Sequence, residues 1–84
     1  MSFYVYIIQS QIDSTYYKGS TQDFILRLKQ HNTGLSKYTK GKIPWRLVYV
    51  EVHPSRAEAI AREKALKKIG GERLQAIINS NRNL

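Results

Sequence analysis

The sequence predicts an α+β domain, a three-stranded antiparallel sheet flanked by helices in the order β-β-α-β-α-α. Three observations carry that expectation. Short aromatic and β-branched runs open the chain at Phe3 and resume at Trp45, and such runs are too brief for ordinary helices. Ser20 with Asp23, and Ser55 with Glu58, place a capping serine three residues ahead of an acid, just before stretches with apolar residues at helical spacing. The chain of 84 residues can support only one core, because so short a chain buries only about 60% of the surface that its unfolded form exposes.

Residues 3–8 form a continuous apolar run, the pattern of a strand buried on both faces and therefore central in its sheet. Residues 9–14 are polar and include Asp13, which makes them a hairpin connection. Residues 15–18 return as a second strand that Gly19 ends. A symmetric turn would set Tyr6 nearly opposite Tyr17, although a slip of one residue would turn either ring to the other face. Ser20 then caps a first helix, with Asp23 reaching back, and Gly34 stops it. Phe24, Ile25 and Leu28 form its apolar side, while Arg27 and His31, one turn apart, share a face. Each of these two has a plain reading of its own: a solvated arginine, and a histidine favoured near a helix C-terminus by the macrodipole.

Residues 35–44 read as a loop carrying Lys37, Tyr38, Lys40 and Lys42. Its composition suits a segment laid along a phosphate backbone with the ring on a base, and equally a solvated loop. Residues 45–52 are the third strand, with Pro44 ahead of it and Trp45 as a core or sheet-end residue. A second helix runs from Ser55 to Gly70 and Gly71. Ile60 and Leu66 lie three residues to either side of Glu63, so the apolar stripe passes through a carboxylate, whereas Glu58 pairs outward with Arg62. An acid on the inner face needs a cation partner, a metal or a wet cleft. The alternative puts Glu63 at the stripe edge, paired with Lys67. Leu74, Ile77 and Ile78 mark a third helix over 72–79. One domain over 1–80 is expected, with 81–84 a frayed tail.

Fourteen Lys and Arg against six Asp and Glu give a formal charge of +8. A field of that sign draws polyanions, nucleic acid first among them, and the basic residues are spread through loop and helices rather than gathered in a tail. With no cysteine, disulfides, thiolate metal sites and a cysteine nucleophile are excluded. The opening residues lack the pattern of a signal peptide and no stretch approaches a membrane span. A cytoplasmic protein with no membrane partner is expected.

Tyr4-Val5-Tyr6, Tyr17-Lys18-Gly19, the following Arg27 and His31, Pro44-Trp45-Arg46-Leu47-Val48-Tyr49 and Ala59-Ile60-Ala61-Arg62-Glu63 together resemble the GIY-YIG nuclease family, in its small stand-alone branch. Tyr4 stands where the first signature carries glycine. The resemblance implies a metal-dependent endonuclease that hydrolyses phosphodiester bonds in DNA, rather than RNA, in repair or recombination. It implies Tyr6, Tyr17, Arg27 and His31 as catalytic residues, Glu63 as the ligand of one Mg2+ or Mn2+ ion held weakly without substrate, and Gly19 as a structural residue. Lys18, with Lys37, Lys40 and Lys42, would meet the nucleic-acid backbone. Two other readings stay open: a nucleic-acid-binding module of the same fold with little catalysis, and an accessory subunit whose basic face meets an acidic protein.

Overall fold

The computed structural model describes residues 2–80 and Asn83. In chain order the elements are β1 (Phe3–Ser10), β2 (Tyr16–Thr21), α1 (Phe24–Asn32), β3 (Trp45–His53), α2 (Arg56–Leu66) and α3 (Gly71–Ile78), with a short 3-10 turn at Lys40–Lys42 inside the long loop. The strands pair antiparallel in the order β2-β1-β3, which is the expected α+β architecture. β1 is central because both of its faces are apolar and both are covered. Val5 and Ile7 join Tyr49, Ala59, Leu66 and Leu74 beneath α2 and α3, while Tyr6 and Ile8 join Trp45, Val50, Phe24 and Leu28 beneath α1. Among the described residues no helix is long and apolar enough to cross a membrane.

The local detail departs from expectation at several points. β2 does not end at Gly19 but runs on to Thr21, because Ser20 continues the ladder opposite Val5. The cap of α1 is therefore Asp23, whose carboxylate accepts from Leu26 N at 3.0 Å. The inner stripe of α1 is Phe24, Leu28 and His31, at i, i+4 and i+7, so Ile25 is turned outward and is 72% exposed. Past Asn32 the chain reaches Gly34 at φ +82°, a left-handed turn that glycine adopts without Cβ strain. Asn32 ties this end to the next strand: its side-chain amide donates to Trp45 O at 2.9 Å and accepts from Trp45 N at 2.6 Å.

The Ser55–Glu58 cap of α2 forms as the spacing implies, with Glu58 N donating to Ser55 Oγ at 3.2 Å. The helix ends at Leu66, short of the glycines. Arg62 does not pair with Glu58. It turns inward and donates Nε to Glu51 Oε1 at 2.8 Å. Glu51 is buried on β3 and also receives the Tyr49 hydroxyl and, at 2.8 Å, approaches His53 Nε2. Burial alone would push the Glu51 carboxyl up, but hydrogen bonds from Tyr49, His53 and Arg62 outweigh it and leave the group below the usual carboxylate range. This network fastens α2 to the sheet beside Glu63. Asn83, read as part of a frayed tail, donates to Val48 O at 2.9 Å and accepts from Val50 N at 3.0 Å. The remainder of that tail, 81, 82 and 84, lies outside the described residues.

Candidate active site

Tyr6 sits at the middle of the sheet on the α1 face, and its cross-strand partner is Gly19, not Tyr17, which lies opposite Ile8. The two tyrosines still share a face, because the register differs from the symmetric one by two residues. The pairing explains why position 19 holds glycine: a Cβ there would come within 2.6 Å of Tyr6 Cζ. The Tyr6 ring therefore lies across β2 at the one position without a side chain.

α1 presents His31 to this ring. The imidazole is fully buried, with Nε2 2.9 Å from the Tyr6 hydroxyl and Nδ1 2.7 Å from Thr39 Oγ1. Tyr17 packs edge-on against the imidazole, with ring centroids 5.1 Å apart. Thr39 is held in turn by Trp45, whose Nε1 donates to Thr39 O at 2.9 Å. The lysine-bearing loop is thereby anchored to the cluster through a buried threonine. No sequence signal points to it, because Thr39 stands among exposed lysines.

The electrostatics set the proton inventory of the cluster. Burial pushes the Tyr6 hydroxyl up to about 12, against the opposing pull of the Arg27 guanidinium, so it is a proton-bearing group at neutral pH. Burial, reinforced by the charge of Arg27, holds His31 down at about 4. His31 is neutral at pH 7, so one ring nitrogen donates and the other accepts. Relative to its ordinary value of 6.5, the unfolded chain takes up a proton that the folded chain refuses, so this residue destabilises the fold as pH falls from about 6.5 to about 4. The loss is expected to reach on the order of 3 kcal/mol. Urea midpoints between pH 7 and 4, with the His31 imidazole followed by NMR, would measure it; an imidazole titrating near 6.5 would contradict it.

Arg27 is half-buried one turn before His31, and its Nη1 donates to Gln30 Oε1 at 3.0 Å. Glu63 lies on the other face of the sheet, on α2. Its Oε1 accepts from Ser20 Oγ at 2.7 Å and its Oε2 pairs with Lys67 Nζ at 2.8 Å. Both readings of this acid meet here: it is paired with Lys67, yet it stands at the β2 edge close enough for its charge to act on the Tyr6 hydroxyl. Ser20, read from the sequence as a helix cap, is instead the residue that orients this carboxylate. An open cleft of about 200 Å³ begins at Ser20 and continues past Phe3, Thr21 and Arg56.

The lysines divide. Lys18 is half-buried on the edge strand next to Lys67, and burial together with that neighbouring charge lowers its affinity for a proton. Lys37 and Lys40 are exposed in the loop that Thr39 anchors. Lys42 is drawn away to the hairpin, 3.0 Å from Asp13 Oδ2 and 3.4 Å from Thr15 Oγ1, which leaves it the least available to an outside phosphate.

The chain is similar to known proteins over most of its length. The GIY-YIG catalytic domain family matches residues 2–74. A UPF0213 protein of Clostridium perfringens is 38% identical over 78 residues, which cover 92% of this chain and 83% of that protein. One from Haloquadratum walsbyi is 37% identical over 75 residues, covering 88% and 83%. The solution NMR structure of a UPF0213 protein from Bacillus halodurans superposes with a TM-score of 0.62 at 34% identity, covering 98% of this chain and 87% of that one.

Proposed function

The chain belongs to the GIY-YIG catalytic domain family, and from that premise we propose that it is a metal-dependent endonuclease hydrolysing phosphodiester bonds in DNA, working in the cytoplasm. The observation that carries the reading is the Tyr6–His31 hydrogen bond of 2.9 Å, with Tyr17 against the same imidazole and the charges of Arg27 and Glu63 both acting on the same hydroxyl.

Cutting a phosphodiester requires a positioned water, countercharge for the phosphoryl oxygens and relief of the departing oxygen. Tyr17, half-buried at the sheet surface, orients the attacking water, whose proton is lost to bulk solvent. Behind it, Tyr6, His31 and Thr39 form a neutral hydrogen-bonded chain, which fixes the rings without placing a charge in the core. Arg27 clamps the phosphate oxygens with a planar fork suited to two parallel hydrogen bonds. Lys18, Lys37 and Lys40 attract the backbone on either side.

The donor set fits a hard divalent ion. Glu63 offers carboxylate oxygen beside the Ser20 hydroxyl, and a cation, the Lys67 ammonium, already sits on it. Among the described residues no group of three or more His, Asp or Glu stands together. Mg2+ or Mn2+ would therefore take most of its ligands from water and substrate, and would supply charge stabilisation and a more acidic bound water.

Supercoiled, branched and single-stranded DNA offered with Mg2+ or Mn2+ tests this directly. Nicking is expected with metal, and it should vanish with a chelator and in Glu63→Ala. Failure to cut any of the three with either ion would end the proposal. The engagement of both Glu63 oxygens favours one other reading, a binding module without catalysis. In that case Glu63→Ala would bind duplex as well as or better than wild type, with affinity falling with salt by about 0.9 per phosphate contacted.

A further inference from the structure

Lys67 is absorbed by neither the fold nor the mechanism above. Its ammonium lies 2.8 Å from Glu63 Oε2, in an i,i+4 pair on a side chain that is 52% exposed. The other Glu63 oxygen is taken by Ser20. The free protein thus carries a cation of its own on the carboxylate. Lys18, on the adjacent edge strand, is near enough for the two ammonium charges to oppose each other, and the Tyr17 hydroxyl lies within the field of Lys67. One cation holds the anion and a second, Lys18, stands near the first. Take the anion away and the remaining pair is a seat for an oxyanion.

We propose that Lys67 keeps Glu63 closed in the free protein and, when a divalent cation takes the carboxylate, swings with Lys18 onto a backbone phosphate adjacent to the bond being cut. The inference rests on Glu63 holding the metal. No bond is made or broken: one ion pair is exchanged for another, and the ammonium that leaves the carboxylate neutralises a phosphodiester. Exposed helix pairs of this kind are weak and their side chains mobile, so the exchange meets little resistance. Metal binding and strand binding become coupled, because each removes an obstacle to the other.

Mn2+ without nucleic acid is the probe, with free ion counted by paramagnetic resonance. Lys67→Met should bind Mn2+ about threefold tighter than wild type, or better, and Lys67→Gln should do the same. Lys68→Met removes an equal charge from the next exposed position and should stay near wild type. A Tyr17→Phe background, which leaves the duplex uncut, allows a second readout. There the salt slope of duplex binding in Mn2+ should be shallower by about 0.9 once Lys67→Met is added, and unaltered by that change in chelator. Unchanged Mn2+ affinity in Lys67→Met, with Glu63→Gln losing the ion, would overturn the exchange and leave the nuclease reading standing. Absence of Mn2+ binding in wild type and Lys67→Met alike would overturn it together with the metal site.

Discussion

Arg62→Met is expected to cost about 2–3 kcal/mol of folding stability, a sizeable share of the roughly 5–15 kcal/mol that holds a small domain together. The substitution keeps most of the stem and removes the guanidinium that faces Glu51 at 2.8 Å. What it leaves is a buried carboxylate without the Arg62 guanidinium, still bonded by Tyr49 and His53. The cost comes from a buried charge deprived of one countercharge, so the double variant Glu51→Gln with Arg62→Met should recover part of the difference. Urea denaturation of the two variants beside wild type measures it. A single variant within about 1 kcal/mol of wild type, the range of an exposed pair, would mean that the network does not fasten α2.

On the proposed mechanism, Arg27→Ala is expected to lower strand cleavage by about 10²–10³-fold while leaving duplex binding nearly unchanged, because the guanidinium would counter charge that grows as the phosphate reacts. Arg27→Lys should restore only part of the rate, since an ammonium is a point charge and not a fork. A second readout is independent of turnover. The charge of Arg27 helps to hold His31 below its ordinary range, so the imidazole should titrate at higher pH in Arg27→Ala. Full cleavage in Arg27→Ala would remove this residue from the mechanism, and an unmoved imidazole would remove it from the cluster.

Much of the fold can be read from residue pattern, because the features that set it are local. The aromatic run from Phe3 is apolar at successive positions, which marks a strand covered on both sides, and Ser55 with Glu58 marks a helix start through backbone amides alone. Register is less accessible. Whether Tyr6 faces Tyr17 or Gly19 depends on how the 11–15 turn closes, and nothing within either strand specifies that. Ser20 has the spacing to Asp23 that suits a cap, and only the ladder with Val5 shows that the strand is still running.

The buried acid is the larger omission. Glu51 sits in a β-branched strand where alternation alone cannot say which face is inward, and its companions Tyr49 and His53 at two-residue spacing are the available clue. At the candidate site, the shared face of Arg27 and His31 follows from helical spacing. The shared face of Tyr6 and Tyr17, with Glu63 across the β2 edge from them, does not, because they come from separate elements, and only the family resemblance relates the three. Thr39 carries no signal in either way.

The missing side chain at position 19 has one more effect. Tyr6 leans through that opening towards the margin of β2, where Ser20 presents Glu63 from below, so the guanidinium and the carboxylate stand on opposite sides of a single layer of backbone. A ligand that touches both groups has to reach around the β2 edge.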